Sequence, residues 1–402
     1  MSWLSRRRVI AATAAGGLAA GTRVAAQDGG GNADRSHSNP GPRDPGLAAL
    51  NPSAFTPPPT DHGDVPAFKY PFSVAHTRVQ DGGWARQVTE KDFPIAKSIA
   101  GVNMRLTSGG IRELHWHLPA EWSIMLAGKA RITAVDQQGR HFAADVGVGD
   151  LWFFPSGIPH SIQGLPPDGC EFLLAFDDGA FSEFDTFLIS EWMAHTPKEV
   201  LAKNFAAPES AFAQIPKQQL YIFQADPPPP LADDLAQSHQ PLVPEPFNFA
   251  MMAQPPIQTK GGTVRIADSR NFKASKTIAA ALVEVEPHGL RELHWHPNAD
   301  EWQYYISGTA RMTVFSSGGR ARTQDFAPGD VGYIKRADGH YIENTGTDTL
   351  RFLELFRSDR YEDVSLAQWM ANTPKELVQA HLHLAEDLID HLPQDKPLVL
   401  PS

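Results

Sequence analysis

Two histidines separated by a single residue, followed by a glutamate, form the first group of side chains that could do chemistry. In an extended strand, residues two apart point to the same side, so His115 and His117 are predicted to face one interior while Trp116 faces away. Glu121 can follow a bend, and a hairpin partner after the Gly149 turn can bring in His160. Three imidazoles and one carboxylate suit manganese, iron, zinc, nickel or copper, and sequence alone does not choose among them.

The same group recurs in the second half of the chain, with one extra residue before the glutamate. Its members are His294, His296, Glu301 and His340. A lone histidine is more often a core residue with satisfied hydrogen bonds, but two complete sets predict two metal centres. Four protein ligands on an octahedral ion would leave two positions for a substrate or for dioxygen.

The recurrence extends well beyond the histidines. The hexapeptide Arg-Glu-Leu-His-Trp-His occurs at 112–117 and 291–296, and Trp-Met-Ala-x-Thr-Pro-Lys-Glu occurs at 192–199 and 369–376. The copies lie about 180 residues apart, which is the length of a domain and not of a solenoid repeat.

Short apolar runs bounded by glycine, proline and aspartate predict strands joined by tight turns in both halves. We therefore predict an all-β protein of two tandem jelly-roll barrels, with short helices only after each barrel, where Thr-Pro can start a helix with proline as its first residue. The predicted domains are 76–232 and 233–402, and the proline-rich stretch 226–246 connects them.

Composition limits the partners of this 402-residue chain. Lys and Arg number 35 against 46 Asp and Glu, giving a net charge of −11, so we expect no nucleic-acid partner. The single cysteine, Cys170, excludes an internal disulfide and a thiolate metal cluster, and it is predicted to be a small core residue.

The N-terminus has the features of an export signal over residues 1–26. Arg6-Arg7-Arg8 precedes an apolar Ala/Gly-rich stretch, and small residues before Gln27 offer a cleavage site. The paired arginines favour the twin-arginine route over an ordinary secretory signal. We expect a periplasmic or secreted protein without a membrane anchor in its mature chain, and a disordered leader and N-terminal arm over 27–75.

These motifs resemble the two cupin motifs. The first copy fits closely, from Gly109 through the ligands to His160, whereas the second has Lys335 and Ala337 where proline and glycine are usual. Over about residues 65–395 the chain resembles the bicupin oxalate decarboxylases. That resemblance implies one Mn(II) per domain, dioxygen as redox co-catalyst, oxalate as substrate, formate and carbon dioxide as products, and a homo-oligomeric trimer or hexamer.

The resemblance also implies roles for four further residues. Arg112 would hold a substrate carboxylate, and Glu183 would transfer a proton from a mobile lid over the first centre, while Arg291 and Glu354 match substrate-side residues of the second. The family lid commonly reads Ser-Glu-Asn-Ser-Thr, whereas this chain has Phe184 and Asp185 after Glu183, a change that could alter the balance between decarboxylation and oxidation.

Two alternative functions remain open from the sequence. A bicupin oxalate oxidase would use the same metal site and produce hydrogen peroxide. A storage-type bicupin would be non-catalytic, but such proteins generally lack complete ligand sets. Trp116 and Trp295 are predicted to pack in the core, with charge transfer between subunits as the other interpretation.

Overall fold

A computed structural model describes residues 44–402, and from Pro45 onward the chain forms one compact unit. The predicted export signal and the leader as far as residue 43 lie outside the described residues. The two halves each fold into an antiparallel barrel, so the predicted tandem arrangement is confirmed. Among the described residues no helix has the length and apolar character needed to span a membrane.

The strands of the first half run antiparallel to their neighbours. They are β2 Thr77–Gln80, β3 Gly83–Val88, β4 Ala100–Leu106, β5 Gly110–Trp116, β6 Glu121–Val135, β7 His141–Gly147, β8 Leu151–Phe154, β9 His160–Gly164, β10 Cys170–Phe176, β11 Phe187–Leu188 and β12 Ile222–Gln224. Strand β6 is long enough to join both walls of the barrel: its first half pairs with β8 and β10, and its second half with β7 and β9.

The second half repeats this order, with the long strand replaced by two. Its strands are β14 Ile257–Gln258, β15 Gly262–Ala267, β16 Ala279–Val285, β17 Leu290–Trp295, β18 Glu301–Ser307, β19 Ala310–Ser316, β20 Arg320–Phe326, β21 Asp330–Ile334, β22 Gly339–Asn344, β23 Leu350–Phe356, β24 Val364–Ser365 and β25 Val399–Leu400. Inward-facing apolar side chains fill both barrels. Cys170 is fully buried in the first core, which confirms its predicted place.

Most helices follow the barrels. They are α1 Pro45–Leu50, α2 Ile189–Ala194, α3 Lys198–Phe205, α4 Leu231–Gln237, α5 Leu366–Ala371, α6 Lys375–Leu382 and α7 Glu386–Asp390, with 3-10 turns at 52–54, 72–74, 183–185, 209–212 and 251–253. The two helices begin one residue later than the Thr-Pro signals predict. Pro197 and Pro374 have extended backbone and precede the first helical residue.

Residues 45–75 are ordered, contrary to the prediction of a disordered leader there. Strand β1, Lys69–Pro71, pairs with β21 of the second barrel, and the Lys69 ammonium lies 2.8 Å from Asp330. Ser53 donates its backbone N–H to Asp325 over 2.7 Å, and Phe68 is buried. The polar, proline-rich composition concealed this order because the arm takes its partners from a barrel more than two hundred residues further along the chain.

The connection between the barrels packs on the first of them. Strand β13, Asn248–Phe249, pairs with β8, and Arg131 holds Asp234 of α4. The second barrel begins only at β14, so the predicted boundary at 232 precedes a segment that packs with the first barrel. Proline content marks a connection but does not tell on which neighbour it packs.

Candidate metal centres

The first centre lies where three strand ends meet inside the first barrel. His115 and His117 come from the end of β5, Glu121 begins β6, and His160 begins β9 directly opposite His115 in the register. The four side chains are buried, and their candidate ligand atoms all lie within 4.8 Å of one another. The sequence therefore predicted a set that the fold brings together.

Backbone carbonyls orient the three imidazoles of this centre. The Nδ1 atoms lie 2.5 Å from the Glu113 carbonyl for His115, 2.6 Å from the Pro119 carbonyl for His117, and 2.8 Å from the Ile158 carbonyl for His160. A carbonyl accepts only from a protonated nitrogen, so each Nδ1 carries the hydrogen and each Nε2 offers a lone pair to the centre.

One carboxylate oxygen of Glu121 accepts hydrogen bonds from neutral donors, and the other faces two of the histidines. Its Oε1 accepts from Trp152 Nε1 at 3.0 Å and from Ser123 Oγ at 3.3 Å. Its Oε2 lies 3.2 Å from Nε2 of His117 and 3.4 Å from Nε2 of His160. Burial by itself would raise the pKa of Glu121, but the neighbouring histidines outweigh it and hold that pKa far below its usual range.

The second centre repeats this construction. Its members are His294, His296, Glu301 and His340, all buried and grouped within the same limit. Their Nδ1 atoms lie 2.7 Å, 2.7 Å and 3.1 Å from the carbonyls of residues 292, 362 and 338. The carboxylate again accepts on Oε1, here from Gln303 at 2.6 Å, while Oε2 faces His340 at 2.8 Å.

Buried polar atoms without partners show that both centres fit a divalent cation. The Nε2 atoms of His160, His294, His296 and His340, together with Glu301 Oε2, make no hydrogen bond; leaving such atoms unpaired is costly. Burial, reinforced by Arg112 and by Arg291 respectively, lowers the pKa of His115 and of His294 well below the usual value. Neutral imidazoles and an ionised carboxylate are the forms that bind metal.

A buried polar network adjoins the first centre. Arg112 and Glu183 are 1% and 7% exposed, and Nη2 of the arginine lies 3.3 Å from Oε2 of the glutamate. Tyr221 donates its hydroxyl to the same oxygen over 2.8 Å, and Arg112 donates to the Tyr221 carbonyl over 3.3 Å. Burial and the nearby Glu183 raise the pKa of Tyr221 far above its usual range, so the hydroxyl remains a donor.

The network beside the second centre is more fully paired. Arg291 is completely buried; its Nε lies 3.2 Å from Glu354, and its Nη2 lies 2.9 Å from Asp363 and 2.7 Å from the Tyr361 hydroxyl. Lys396 also contacts Asp363. Burial would raise the pKa of Asp363, but the two cations lower it to about 2. The guanidinium of Arg291 is therefore already paired with two carboxylates, whereas the guanidinium of Arg112 is paired with one.

Trp116 and Trp295 are only half-buried, so the prediction that they pack in the core is wrong. Trp116 stacks on Phe187 at 5.5 Å and meets Trp192 edge-on at 5.5 Å, while Trp295 meets Trp369 at 5.7 Å. The alternation along β5 and β17 places them outside the barrels, and the segments that follow supply their neighbours.

Sequence reasoning missed several residues of these networks. Glu113 accepts from the backbone N–H groups of Ser190, Leu220 and Tyr221, and its counterpart Glu292 accepts from Ser365 and Leu398. The repeated hexapeptide contains both glutamates and could have identified them. Tyr221, Tyr361 and Asp363 lie outside the repeated motifs, so no comparable signal was available.

Comparison with known proteins gives concordant matches. The Cupin family model matches residues 72–211 and 249–390. Oxalate decarboxylase OxdC of Bacillus subtilis is 55% identical over 346 residues, which cover 86% of this chain and 90% of the relative. An oxalate decarboxylase of the fungus Arthroderma benhamiae is 40% identical over 394 residues, covering 90% of each chain.

Solved structures agree with these sequence matches. A structure of Bacillus subtilis oxalate decarboxylase from work on its Mn(II) centres superposes with a TM-score of 0.88 at 53% identity, covering 90% of this chain and 96% of that one. A structure of the same enzyme at pH 4.6 gives a TM-score of 0.88 at 54% identity, with coverage of 90% and 94%.

Proposed function

The chain belongs to the cupin family and, within it, to the bicupin oxalate decarboxylases, and we propose that it converts mono-protonated oxalate to formate and carbon dioxide. In this reaction the carbon–carbon bond breaks, one carbon leaves as carbon dioxide, and a proton takes its place on the other. The observation that carries the proposal is the buried pair of Arg112 and Glu183 beside a complete set of metal ligands.

The eight grouped side chains are the proposed ligands of two manganese ions. His115, His117, Glu121 and His160 would hold one, and His294, His296, Glu301 and His340 the other. The relatives are oxalate decarboxylases, and one of them has Mn(II) centres. When bound, manganese together with dioxygen would supply the reversible one-electron oxidation that lets oxalate lose carbon dioxide.

Arg112 would bind and orient the substrate carboxylate. Its guanidinium is buried next to His115, where a planar fork of donors matches a carboxylate geometrically. In the structure this fork contacts Glu183. An incoming carboxylate therefore competes with Glu183 for Arg112 and releases the acid at the moment it is needed.

Glu183 would accept the substrate proton and return it to the carbon from which carbon dioxide has left. Its Oε2 is the oxygen bound by both Arg112 and Tyr221, so proton transfer takes place at a defined atom within hydrogen-bond reach of the donor network. Glu183 is buried, so water has little access to the oxygen that transfers the proton.

The first centre is the proposed site of reaction. Arg291 has no free donor face comparable to that of Arg112, since Glu354, Asp363 and Tyr361 surround it. A substrate carboxylate entering there would have to displace a buried ion pair, which is costly. We assign the second centre to metal binding and to the stability of its barrel, with Arg291 and Glu354 as its inner support.

Oxalate oxidase is the second candidate, in which oxalic acid and dioxygen give two molecules of carbon dioxide and hydrogen peroxide. The observation in its favour is the lid itself: Phe184 is 67% exposed, and Asp185 adds a charge beside the acid. A lid that opens before the proton is returned would favour oxidation. The inward position of Glu183 in the described structure favours decarboxylation.

Export and assembly are further parts of the proposal. The arginine-rich start of the chain supports export by the twin-arginine route. Exposed aromatic rings beside both barrels, among them Trp192 at 66% and Trp369 at 59% exposure, support a homo-oligomer, either a trimer or a hexamer. Light scattering of the purified protein measures its mass directly.

The experiment that tests the proposal compares metal-stripped and manganese-reconstituted protein in the presence of oxalate. Formate that appears only after reconstitution supports the proposed reaction. Absence of turnover with both centres loaded would contradict it.

A further inference from the structure

The segment that carries Glu183 is a short turn whose hydrogen bonds to other elements are made by Glu183 itself. Residues Glu183–Asp185 form one 3-10 turn, capped by Ser182, whose hydroxyl accepts from the Phe184 N–H at 3.3 Å. The Glu183 N–H donates to the side chain of Gln87 over 3.0 Å. Its neighbour Phe184 projects outward, so a contact made by the Phe184 ring supports the turn from its outer side.

Arg78 on β2 provides a surface for that support. Its guanidinium carbon lies 3.7 Å from the centroid of the Tyr221 ring and 5.6 Å from the centroid of the Phe184 ring. Both distances lie in the range of cation–π attraction. Arg78 therefore contacts a fixed residue of the barrel and a residue of the lid at the same time.

The charges point to the same arrangement. Arg112 also lies over the Tyr221 ring, at 4.4 Å, so two cations converge on one aromatic side chain. Glu183 is the anion that pairs with Arg112 and accepts from Tyr221. Arg78 donates to the neutral side chain of Gln219 over 3.2 Å, and its Nη1 is buried without a hydrogen-bond partner. The positive charge of Arg78 therefore favours the inward position of the Glu183 carboxylate.

The structure also leaves room for the opposite position. A cavity of about 90 Å³ is lined by Arg78, Glu183, Phe184 and Tyr221, together with Asp92. Space next to a short turn allows the acid to swing out once its contacts are lost. The contacts of Arg78 with Tyr221 and Phe184 lie between the inward and the outward position of Glu183.

We propose that Arg78 is a positioning residue for Glu183, acting through its stacking on Tyr221 and Phe184 to hold the lid segment 182–186 closed over the first centre. The role in catalysis rests on the proposed function, whereas the closure of the lid does not. Arg78 contacts the lid and Tyr221, so its effect on chemistry passes through the position of Glu183.

Hydrogen exchange in the manganese-loaded full chain tests the closure directly. In Arg78→Leu and in Phe184→Leu we expect the amides of 182–186 to exchange roughly threefold to tenfold faster than in the wild type. The double variant should be no faster than Arg78→Leu, because Phe184→Leu removes a contact that Arg78→Leu has already removed. Arg78→Lys, which keeps the charge, should restore much of the protection.

Arg105→Leu is the control, because Arg105 lies on β4, donates to the Asp168 carbonyl over 3.0 Å and is not among the residues that line this cavity. It should exchange like the wild type. With oxalate, the lid variants should give less formate and more peroxide per turnover, with a larger change in kcat than in KM.

Unchanged exchange at 182–186 in both Arg78→Leu and Phe184→Leu would overturn the proposal. Because Phe184 is exposed, we expect Phe184→Leu to fold, and its hydrogen exchange tests the proposal even if Arg78→Leu folds poorly. If the wild type turns over no oxalate, the proposed function fails, while the exchange comparison still decides whether Arg78 holds the lid.

Discussion

Arg112 and Glu183 form a buried ion pair across 3.3 Å although 71 residues separate them in the chain. The arginine comes from strand β5, and the glutamate comes from a short turn between β10 and β11. A residue suited to binding a carboxylate therefore holds the acid suited to moving its proton. Under the proposed function, competition for Arg112 would couple binding of the substrate to release of the acid.

Replacing the acid by its neutral isostere should separate metal binding from proton transfer. In Glu183→Gln we expect formate production to fall by roughly 100-fold to 10,000-fold, the range typical of general acid–base catalysis. Manganese content should stay that of the wild type, because Glu183 is not among the grouped ligands. Steady-state kinetics combined with metal analysis measures both; a variant with full formate production would contradict the role of Glu183.

Removing one ligand from each centre should distinguish their roles. His160→Ala and His340→Ala are matched variants, since each histidine lies within the first two residues of the corresponding strand of its barrel. Each should lower the manganese content from about two ions per chain to about one. Only His160→Ala should abolish formate production directly; full activity in His160→Ala together with loss in His340→Ala would reverse the assignment of the centres.

The two arginines should differ in what they support. Arg291→Met leaves the buried Glu354 without its cation and leaves Asp363 with Lys396 alone, and we expect a loss of about 3–5 kcal/mol in the free energy of unfolding. Denaturant titration of the metal-loaded protein measures this loss. A variant as stable as the wild type would show that the network beside the second centre contributes little.

Arg112→Lys should act on substrate binding instead. Lysine keeps the charge but loses the planar fork, so we expect KM for oxalate to rise roughly tenfold to 100-fold. Unchanged KM would mean that Arg112 does not hold the substrate carboxylate.

The sequence predicted the parts of this molecule that repeat. Two barrels and two ligand sets follow from motifs such as His115-x-His117 and its second copy, because the period of a strand places both rings on one side. Residues that occur once could not be found in this way. Tyr221 and Asp363 join the two networks only because the fold returns them to the barrel.

Composition misled where order depends on a distant partner. Residues 45–75 have the polar, proline-rich character of a free leader, yet Lys69 and Phe68 are held by the second barrel. A pattern of local residues carries no information about such long-range pairing. The same reason explains why Trp116 was placed in the core, since its neighbours Phe187 and Trp192 come from the segment after the barrel.

Chemical inertness of the single cysteine tests the packing of the first barrel. Burial raises the pKa of Cys170 to about 12, so at pH 8 the thiol is protonated and lies within the core. We expect no reaction with a disulfide reagent in the native state and stoichiometric reaction in denaturant. Rapid labelling of native protein would show that this barrel opens readily.

Product stoichiometry in air tests the central claim most directly. Manganese-loaded protein is incubated with oxalate at mildly acidic pH, and formate, carbon dioxide and hydrogen peroxide are quantified in one sample. Decarboxylation predicts formate and carbon dioxide in near-equal amounts with little peroxide. Peroxide with carbon dioxide and without formate would contradict it and identify an oxidase whose lid, at Phe184 and Asp185, fails to return the proton.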